Sequence, residues 1–471
     1  MHSKRTLVLA LTAVLAVSAC AGTTASTAPS ATTASTAPAS AAPASTAPSG
    51  EPSAAPSEAA VSPAPLAPDP AEAVIQGVEA NAEVGLWTFF LSPTFDGYIK
   101  DTIARFEATY PGVKVNWEDH QGTFKDDLNN AFAAGNAPDV INLSVSEGWV
   151  SEYAGKDLLL DLDTAVPQNV KDIYFPNLWQ QQLIDGKNYQ FPWYQGLNVE
   201  LVNKAILEAA GVSIDAFPKT IDGLPALCDT VFKATNTLCA IRLTTSDLLA
   251  QMVYEGDVKV FGDDGKFAFN SPEGVAWLQM YVDMVKAGTV DTTVLTGDDR
   301  VGLNAFSAGA APFYATGPNL ARNVKDTNAT LYDNLGMVPT PLGKSGVAGK
   351  GLMSMSVKKD TAFPNASIAL AQFFTNPRSM VEFAKQVPVY PSSPSAYDDP
   401  FFSEPATAVE DSARGLARDT VATYQDIVPT VPKKADVNDI VNDAVESALF
   451  ADVPVQEALD KAVADANELL P

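Results

Sequence analysis

Histidine is almost missing from this chain. Of two in 471 residues, one is His2 in the N-terminal leader, which leaves His120. A Ser-His-Asp or Cys-His hydrolase would have to use that single residue, and no histidine-based metal cluster can form. Cysteine is scarce, with three residues. Positive charge is scarce too: 30 Lys and Arg face 56 Asp and Glu, for a formal net charge of −26. Without a basic patch to neutralise phosphates, a nucleic-acid partner is not expected. The acidity reads first as a solubility trait and gives slight weight to a cationic ligand.

Long apolar runs are also lacking, except Leu7 to Val17, which follows Lys4-Arg5 and leads into Val17-Ser-Ala-Cys20. That run is too short to span a bilayer as a mature helix, so residues 1–19 read as a secretory signal peptide. A cysteine directly after small residues resembles a bacterial lipobox, with Val17 where leucine is commoner. Cys20 would then be the lipidated first residue; an ordinary signal with an incidental cysteine is the alternative. The rest of 20–78 is Ala, Ser, Thr and Pro with few large apolar side chains. It cannot bury enough surface to offset chain entropy and is expected to be a disordered linker. Its contour is at most ~180 Å, and as a flexible coil it spans roughly 40–45 Å. In an exported chain the remaining pair, Cys228 and Cys239, invites a disulfide, or else forms two separate buried thiols.

What remains is too long for one ordinary domain, and two lobes are expected. Gly135-Asn-Ala-Pro138 is a turn cluster closing a helix over Phe124 to Ala134. Asp139 to Leu143 is a short apolar run of the kind buried in a parallel sheet. Upstream, Val84–Phe90 and Val113–Trp117 read as strands flanking a helix over Tyr98–Tyr110, with Ile99, Ile103 and Phe106 at helical spacing. Such β-α-β-α-β order with right-handed crossovers gives a parallel sheet. Ligands of open α/β sheets lie beyond the carboxyl ends of the strands. The ends near Phe89–Ser92, Glu118–His120 and Ser144–Ser146 therefore mark one expected site edge. Asp263-Asp264-Gly265 matches only part of a calcium loop and reads as a hairpin turn.

Several segments, in order, resemble the extracellular solute-binding proteins of sugar ABC importers, the maltose-binding-protein-like class. They are Tyr110-Pro-Gly-Val-Lys-Val115, Gly135-Asn-Ala-Pro-Asp139 with Leu158-Leu-Leu-Asp-Leu-Asp163, Gly186-Lys-Asn-Tyr-Gln-Phe-Pro192 with Asn203-Lys204, and Phe306 to Asn319. The resemblance covers essentially everything after residue 80. Three positions depart from it. Gly196 stands where a ligand-binding glutamate occurs, Asn319 where a tryptophan stacks on sugar, and Thr220-Ile-Asp-Gly-Leu224 lacks a further tryptophan.

The resemblance implies an α/β, two-lobed periplasmic-binding-protein fold of type II, with three interlobe crossings. Residues 79–194 with 340–386 would form lobe 1, and 195–339 with 387–471 lobe 2, the third crossing lying at Val387 to Ser393. It further implies a binding protein and not an enzyme, without cofactor or metal. A monomer would capture a carbohydrate between the lobes and pass it to an ABC permease. It would be lipid-anchored on the extracellular face of the cell membrane, or on the periplasmic side if an outer membrane is present.

Sugars present polar edges and apolar C–H faces, so aromatic platforms and planar polar groups are sought. The candidate platforms are Phe90, Trp193, Tyr194, Tyr314 and Tyr390. The candidate polar groups are Ser92, Glu118, Asp119, Ser144, Ser146, Gln195, Asp247, Asn319 and Lys350. Other readings are a receptor for a polyamine, a phosphate ester or iron, and a wall-associated glycoside hydrolase. An iron receptor usually shows adjacent tyrosines, which do not occur. A phosphate ester wants cleft arginines, for which only Arg242, Arg300 and Arg322 are placed. Hydrolysis would need paired carboxylates, and no motif ties one carboxylate to another.

Overall fold

The computed structural model describes residues 66–470 apart from 181, 182, 197, 244–246, 297, 298, 350, 422–424, 426, 427 and 430. The expected signal peptide, Cys20 and most of the expected linker lie outside the described residues, as does Lys350. Nine strands occur among the described residues: β1 (Glu83–Phe89), β2 (Lys114–His120), β3 (Val140–Ser144), β4 (Phe191–Gln195), β5 (Val199–Asn203), β6 (Phe313–Thr316), β7 (Leu335–Pro339), β8 (Leu352–Val357) and β9 (Tyr390–Pro391). They make a six-stranded sheet, β2-β1-β3-β8-β4-β9, and a three-stranded sheet, β6-β5-β7. Each sheet is the floor of one lobe.

In the first lobe, β1 pairs in parallel with β2 and β3, so Phe89, His120 and Ser144 end on one edge. The expected parallel sheet stops there, because β8, β4 and β9 continue it antiparallel. Helices Asp96–Thr109 and Pro364–Phe374 cover one face, burying Ile99, Phe106, Phe373 and Phe374 against Leu86, Phe191 and Trp193. The Asp139 carboxylate explains the Pro-Asp motif in front of β3. It accepts from the Gly85 N–H at 2.9 Å and from the Thr361 hydroxyl at 2.7 Å, tying β1 to the segment after β8. Helix Phe124–Ala134 ends on Gly135 at φ +74°, the left-handed cap that glycine adopts without a Cβ clash.

The expected linker overshoots its boundary. Residues 66–78 are described, and Ile75 is buried in the first core. Glu72 is buried as well and accepts from Asn376 Nδ2 at 2.9 Å and Arg378 Nη1 at 2.8 Å, with Arg105 Nε at 3.4 Å. One carboxylate among two arginines and one isoleucine plug are enough to fix a Pro/Ala-rich segment on the lobe. Removing the Glu72 carboxylate would leave Arg105 buried without its ion-pair partner, a loss of about 3–5 kcal/mol.

In the second lobe, one face of β5-β7 packs on helices Leu224–Thr235, Leu248–Gly256 and Pro272–Ala287. The closing helices Lys434–Phe450 and Val455–Glu468 join the same core. Cys228 and Cys239 are bonded there, both fully buried. Asp263 to Gly265 lies in a turn between Phe261 and Phe267, which form an antiparallel bridge.

The chain first crosses between lobes after Gln195, at Gly196 to Asn198, and crosses back between β7 and β8. These two connections touch, the Gly196 N–H donating to the Gly351 carbonyl at 3.1 Å. The third crossing falls later than expected. Tyr390 pairs with Gln195 at the edge of the first sheet, and Ala396 and Phe402 pack under Val381 and Ala384 of that lobe. The second lobe is reached at Val409 and Glu410, which meet its core and the Tyr332 hydroxyl, and helix Ser412–Val421 follows with Ala413 in the core of β5 and β7.

Candidate ligand-binding site

A cavity of about 570 Å³ lies where the two sheets meet. Ligand sites commonly fall in the range of ~300–1,000 Å³. Val387 to Tyr390, beside the edge of the first sheet, form one wall. The other is made by Glu200 of β5, Tyr314 and Ala315 of β6, Thr340 after β7, and Arg242, Gln251, Tyr254 and Glu255. Gly196, Gly349 and Gly351 close it at the crossings.

Glu200 sits on the central strand of its sheet and is 4% exposed. Strand alternation sends Val199 and Leu201 to one core and Glu200 with Val202 to the opposite face, over helix Leu248–Gly256. From that helix comes Glu255. Its Oε1 accepts from Gln251 Nε2 at 2.8 Å, and its Oε2 from Trp277 Nε1 at 2.9 Å and the Tyr281 hydroxyl at 2.8 Å. Glu200 Oε2, by contrast, has no partner among the described residues. Two further buried polar atoms on this cavity lack partners, Thr340 Oγ1 and the Tyr390 hydroxyl. Burial, and then the charge of Glu255, push the Glu200 carboxyl well above the usual glutamate range. Burial raises Glu255 as well, against the three hydrogen bonds that lower it.

These directions carry a stability consequence. A carboxyl whose pKa is raised on folding holds a proton that the unfolded chain has already lost. The stability it contributes is present below the ordinary glutamate value of 4.5 and is lost as pH rises through the folded value. Glu200→Gln, which stays neutral, is expected to be about 1–3 kcal/mol more stable than the wild type at pH 8. The gap should close toward pH 4 in circular-dichroism melts. A gap that widens on acidification would mean Glu200 stabilises the fold as a carboxylate.

Of the residues expected from sequence, Tyr314, Asn319 and Tyr390 line the cavity. Trp193 does not: it is fully buried in the first core, stacked on Phe383 at 5.3 Å. Tyr194 is partly buried against both rings. Gln195 is fully buried with neither amide atom partnered, one residue before the cavity wall begins at Gly196. Ser144 and Ser146 are structural clips. Ser144 Oγ accepts from the Glu147 N–H, and Ser146 Oγ from the N–H groups of Gly351 and Leu352 at 2.8 and 3.0 Å. Asp119 is another clip, accepting from Thr88 Oγ1 and the N–H groups of Leu91 and Ser92. Phe90 and Glu118 are exposed at the sheet edge, away from the cavity lining. Asp247 pairs with Lys434 at 3.1 Å inside the second lobe.

The sequence reading missed Glu200 and Glu255. The signal for Glu200 was present: Val199-Glu-Leu-Val202 puts a carboxylate inside an apolar strand run, where an unpaired charge is costly.

Two α/β lobes, three crossings and a cavity at the lobe boundary are the periplasmic-binding-protein arrangement. Residues 92–381 match the family model of bacterial extracellular solute-binding proteins, and the chain belongs to that family. A periplasmic-binding protein from Synechococcus sp. MITs9220 has 24% identity, covers 82% of this chain and 98% of its own, and has a TM-score of 0.72. The cyclic alpha-maltosyl-1,6-maltose binding protein from Arthrobacter globiformis has 20% identity, 83% and 99% coverage, and a TM-score of 0.69. At such identities the likeness is one of fold. An arabinooligosaccharide-binding protein of Halalkalibacterium halodurans is 23% identical over 46% of this chain. The chain spans 60% and 49% of the lengths of two curated relatives it matches.

Proposed function

We propose that this chain is the receptor of an ABC importer, capturing a carbohydrate in the cavity between its lobes and delivering it to the permease without chemical change. The observation that carries this reading is the cavity's mixed lining. Val387, Val389 and Tyr314 offer apolar surface, while Glu200 Oε2, Thr340 Oγ1 and the Tyr390 hydroxyl are polar atoms without protein partners. A sugar has both kinds of surface and would satisfy those atoms, whose isolation otherwise costs ~1–3 kcal/mol each. The binding proteins for maltosyl and arabinosyl oligosaccharides named above support the same ligand class. The wall sets two carboxyls, Glu200 and Glu255, against a single arginine, Arg242, which favours a carbohydrate over a phosphate ester. We also propose that Val17-Ser-Ala-Cys20 anchors a monomeric receptor to the membrane by lipid, the segment before residue 66 acting as tether.

A thermal-shift screen against mono- and oligosaccharides tests the reading, with calorimetric titration of the hits. A saccharide at a hundredfold excess over its Kd should stabilise the protein by about 2.7 kcal/mol. It should also be recovered intact after prolonged incubation. Turnover absent from a Glu200→Gln control would turn the carboxylate pair into catalytic machinery and overturn the receptor reading. So would a screen in which no saccharide shifts the melt while amino acids or peptides do.

A further inference from the structure

A neutral sugar needs hydrogen-bond partners, but it does not need two acids crowded on one wall. Glu200 and Glu255 both line the cavity, and among the described residues the only charge acting on Glu200 is Glu255. The hydrogen-bond donors to Glu255, from Gln251, Trp277 and Tyr281, are all neutral. Arg242 lines the same cavity, one guanidinium against the two carboxyls among the described residues. Among the described residues the other titratable groups facing the cavity are Tyr254, Tyr314 and Tyr390. Glu255 also stands in the last turn of helix Leu248–Gly256, where the helix dipole presents its negative end. Two carboxylates and a dipole end therefore favour positive charge at one place, and Glu200 Oε2 is free to accept from it.

We propose that the cavity takes a saccharide bearing a protonated amine, with the ammonium group seated on Glu200 and Glu255 behind it. This rests on the carbohydrate reading above and narrows its ligand class. An ammonium forms a charge-assisted bond with a buried carboxylate, roughly twice as strong as a neutral one. Burial and mutual repulsion disfavour full ionisation of the empty pair, and an ammonium group seated on it relieves both. The arriving charge therefore shifts the pair toward its ionised form, and protons leave to solvent as the ammonium enters. A neutral saccharide would bind without proton release.

The test is calorimetric titration at pH 7, in buffers of different ionisation enthalpy, with three probe sets. These are neutral oligosaccharides, the same oligosaccharides with one ring hydroxyl replaced by a primary amine, and spermidine. The amine-bearing member should bind at least about thirtyfold more tightly than its neutral partner. Binding of the amine-bearing member should release protons, and binding of its neutral partner should not. Glu200→Gln, checked for folding by its melt, should abolish both the preference and the proton release, and Glu255→Gln should reduce them. Equal binding of both members, or a preference that survives in Glu200→Gln, overturns this inference and leaves the carbohydrate reading intact. Binding of spermidine with no saccharide overturns both, as does binding by none of the probes.

Discussion

Trp193→Ala is expected to destabilise the protein by about 3–5 kcal/mol, the range for removing a large aromatic from a packed core. Its ring is fully buried and lies nearly parallel to those of Phe383 and Tyr98, at 5.3 and 6.5 Å between centroids. Phe374 meets it edge-on at 6.2 Å. Alanine leaves a void bounded by rings already held from other sides, so the site collapses poorly and the loss falls at the upper end. Because Trp193 does not line the cavity, affinity in the folded fraction should change less than about threefold, or under ~0.7 kcal/mol. Denaturant melts beside calorimetric titration separate the two quantities. A Trp193→Ala protein with an unchanged midpoint and much weaker binding would place the ring on the ligand after all.

Gly349→Ala should do the reverse, damaging binding more than its size suggests. A Cβ at residue 349 would lie 2.1 Å from the Gln425 carbonyl oxygen and 2.8 Å from the Tyr254 hydroxyl. The first obstacle is backbone, so the chain must move. The neighbouring bond from the Gln425 N–H to the Ala348 carbonyl, 2.8 Å long, would be strained or lost. Since Gly349 and Tyr254 both line the cavity, the displacement passes directly to its wall. We expect a loss of about 1–3 kcal/mol in stability from overpacking and a Kd weaker by at least about tenfold. Gly346→Ala, at φ +66° with no atom near its missing Cβ, is strained in its backbone but clashes with nothing, and so controls for a general loss of stability in this segment. Equal, small effects of both changes on Kd would remove Gly349 from the wall.

How far the sequence reveals this molecule differs between fold and site. The helices Asp96–Thr109 and Phe124–Ala134 and the strands around them follow apolar periodicity and end at glycine or proline signals, which are local properties. The late third crossing is not local. Val387 to Ser393 has no feature distinguishing a hinge from an edge strand until β9 is seen to pair with β4. The site was legible only in part for a related reason. The strand-end rule points to Phe90, Glu118 and Ser144 on the first sheet, and two of the serines there prove to be clips for backbone N–H groups. The cavity is instead assembled from Glu200, Glu255, Tyr314 and Tyr390, which are far apart in the chain and meet only through the second lobe's packing. Trp193 has the composition of a platform and the surroundings of a core residue, and only its neighbours decide between them.

The unequal walls of the cavity have a consequence for how a bound molecule can act on the two lobes. Nearly all of the lining belongs to the second lobe or the crossings, and the first lobe contributes mainly the strip from Val387 to Tyr390. A ligand biases an open–closed equilibrium only by the contacts it gains in the closed form. Moving such an equilibrium from 1:99 to 99:1 takes about 5.5 kcal/mol of differential affinity. Here that difference must be raised largely across four residues, whereas occupancy can be secured by the second lobe alone. Occupancy and closure are thus separable properties of this cavity. A compound that fills the Glu200 wall without reaching Tyr390 would occupy the cavity as a silent competitor, bound but unable to populate the closed form.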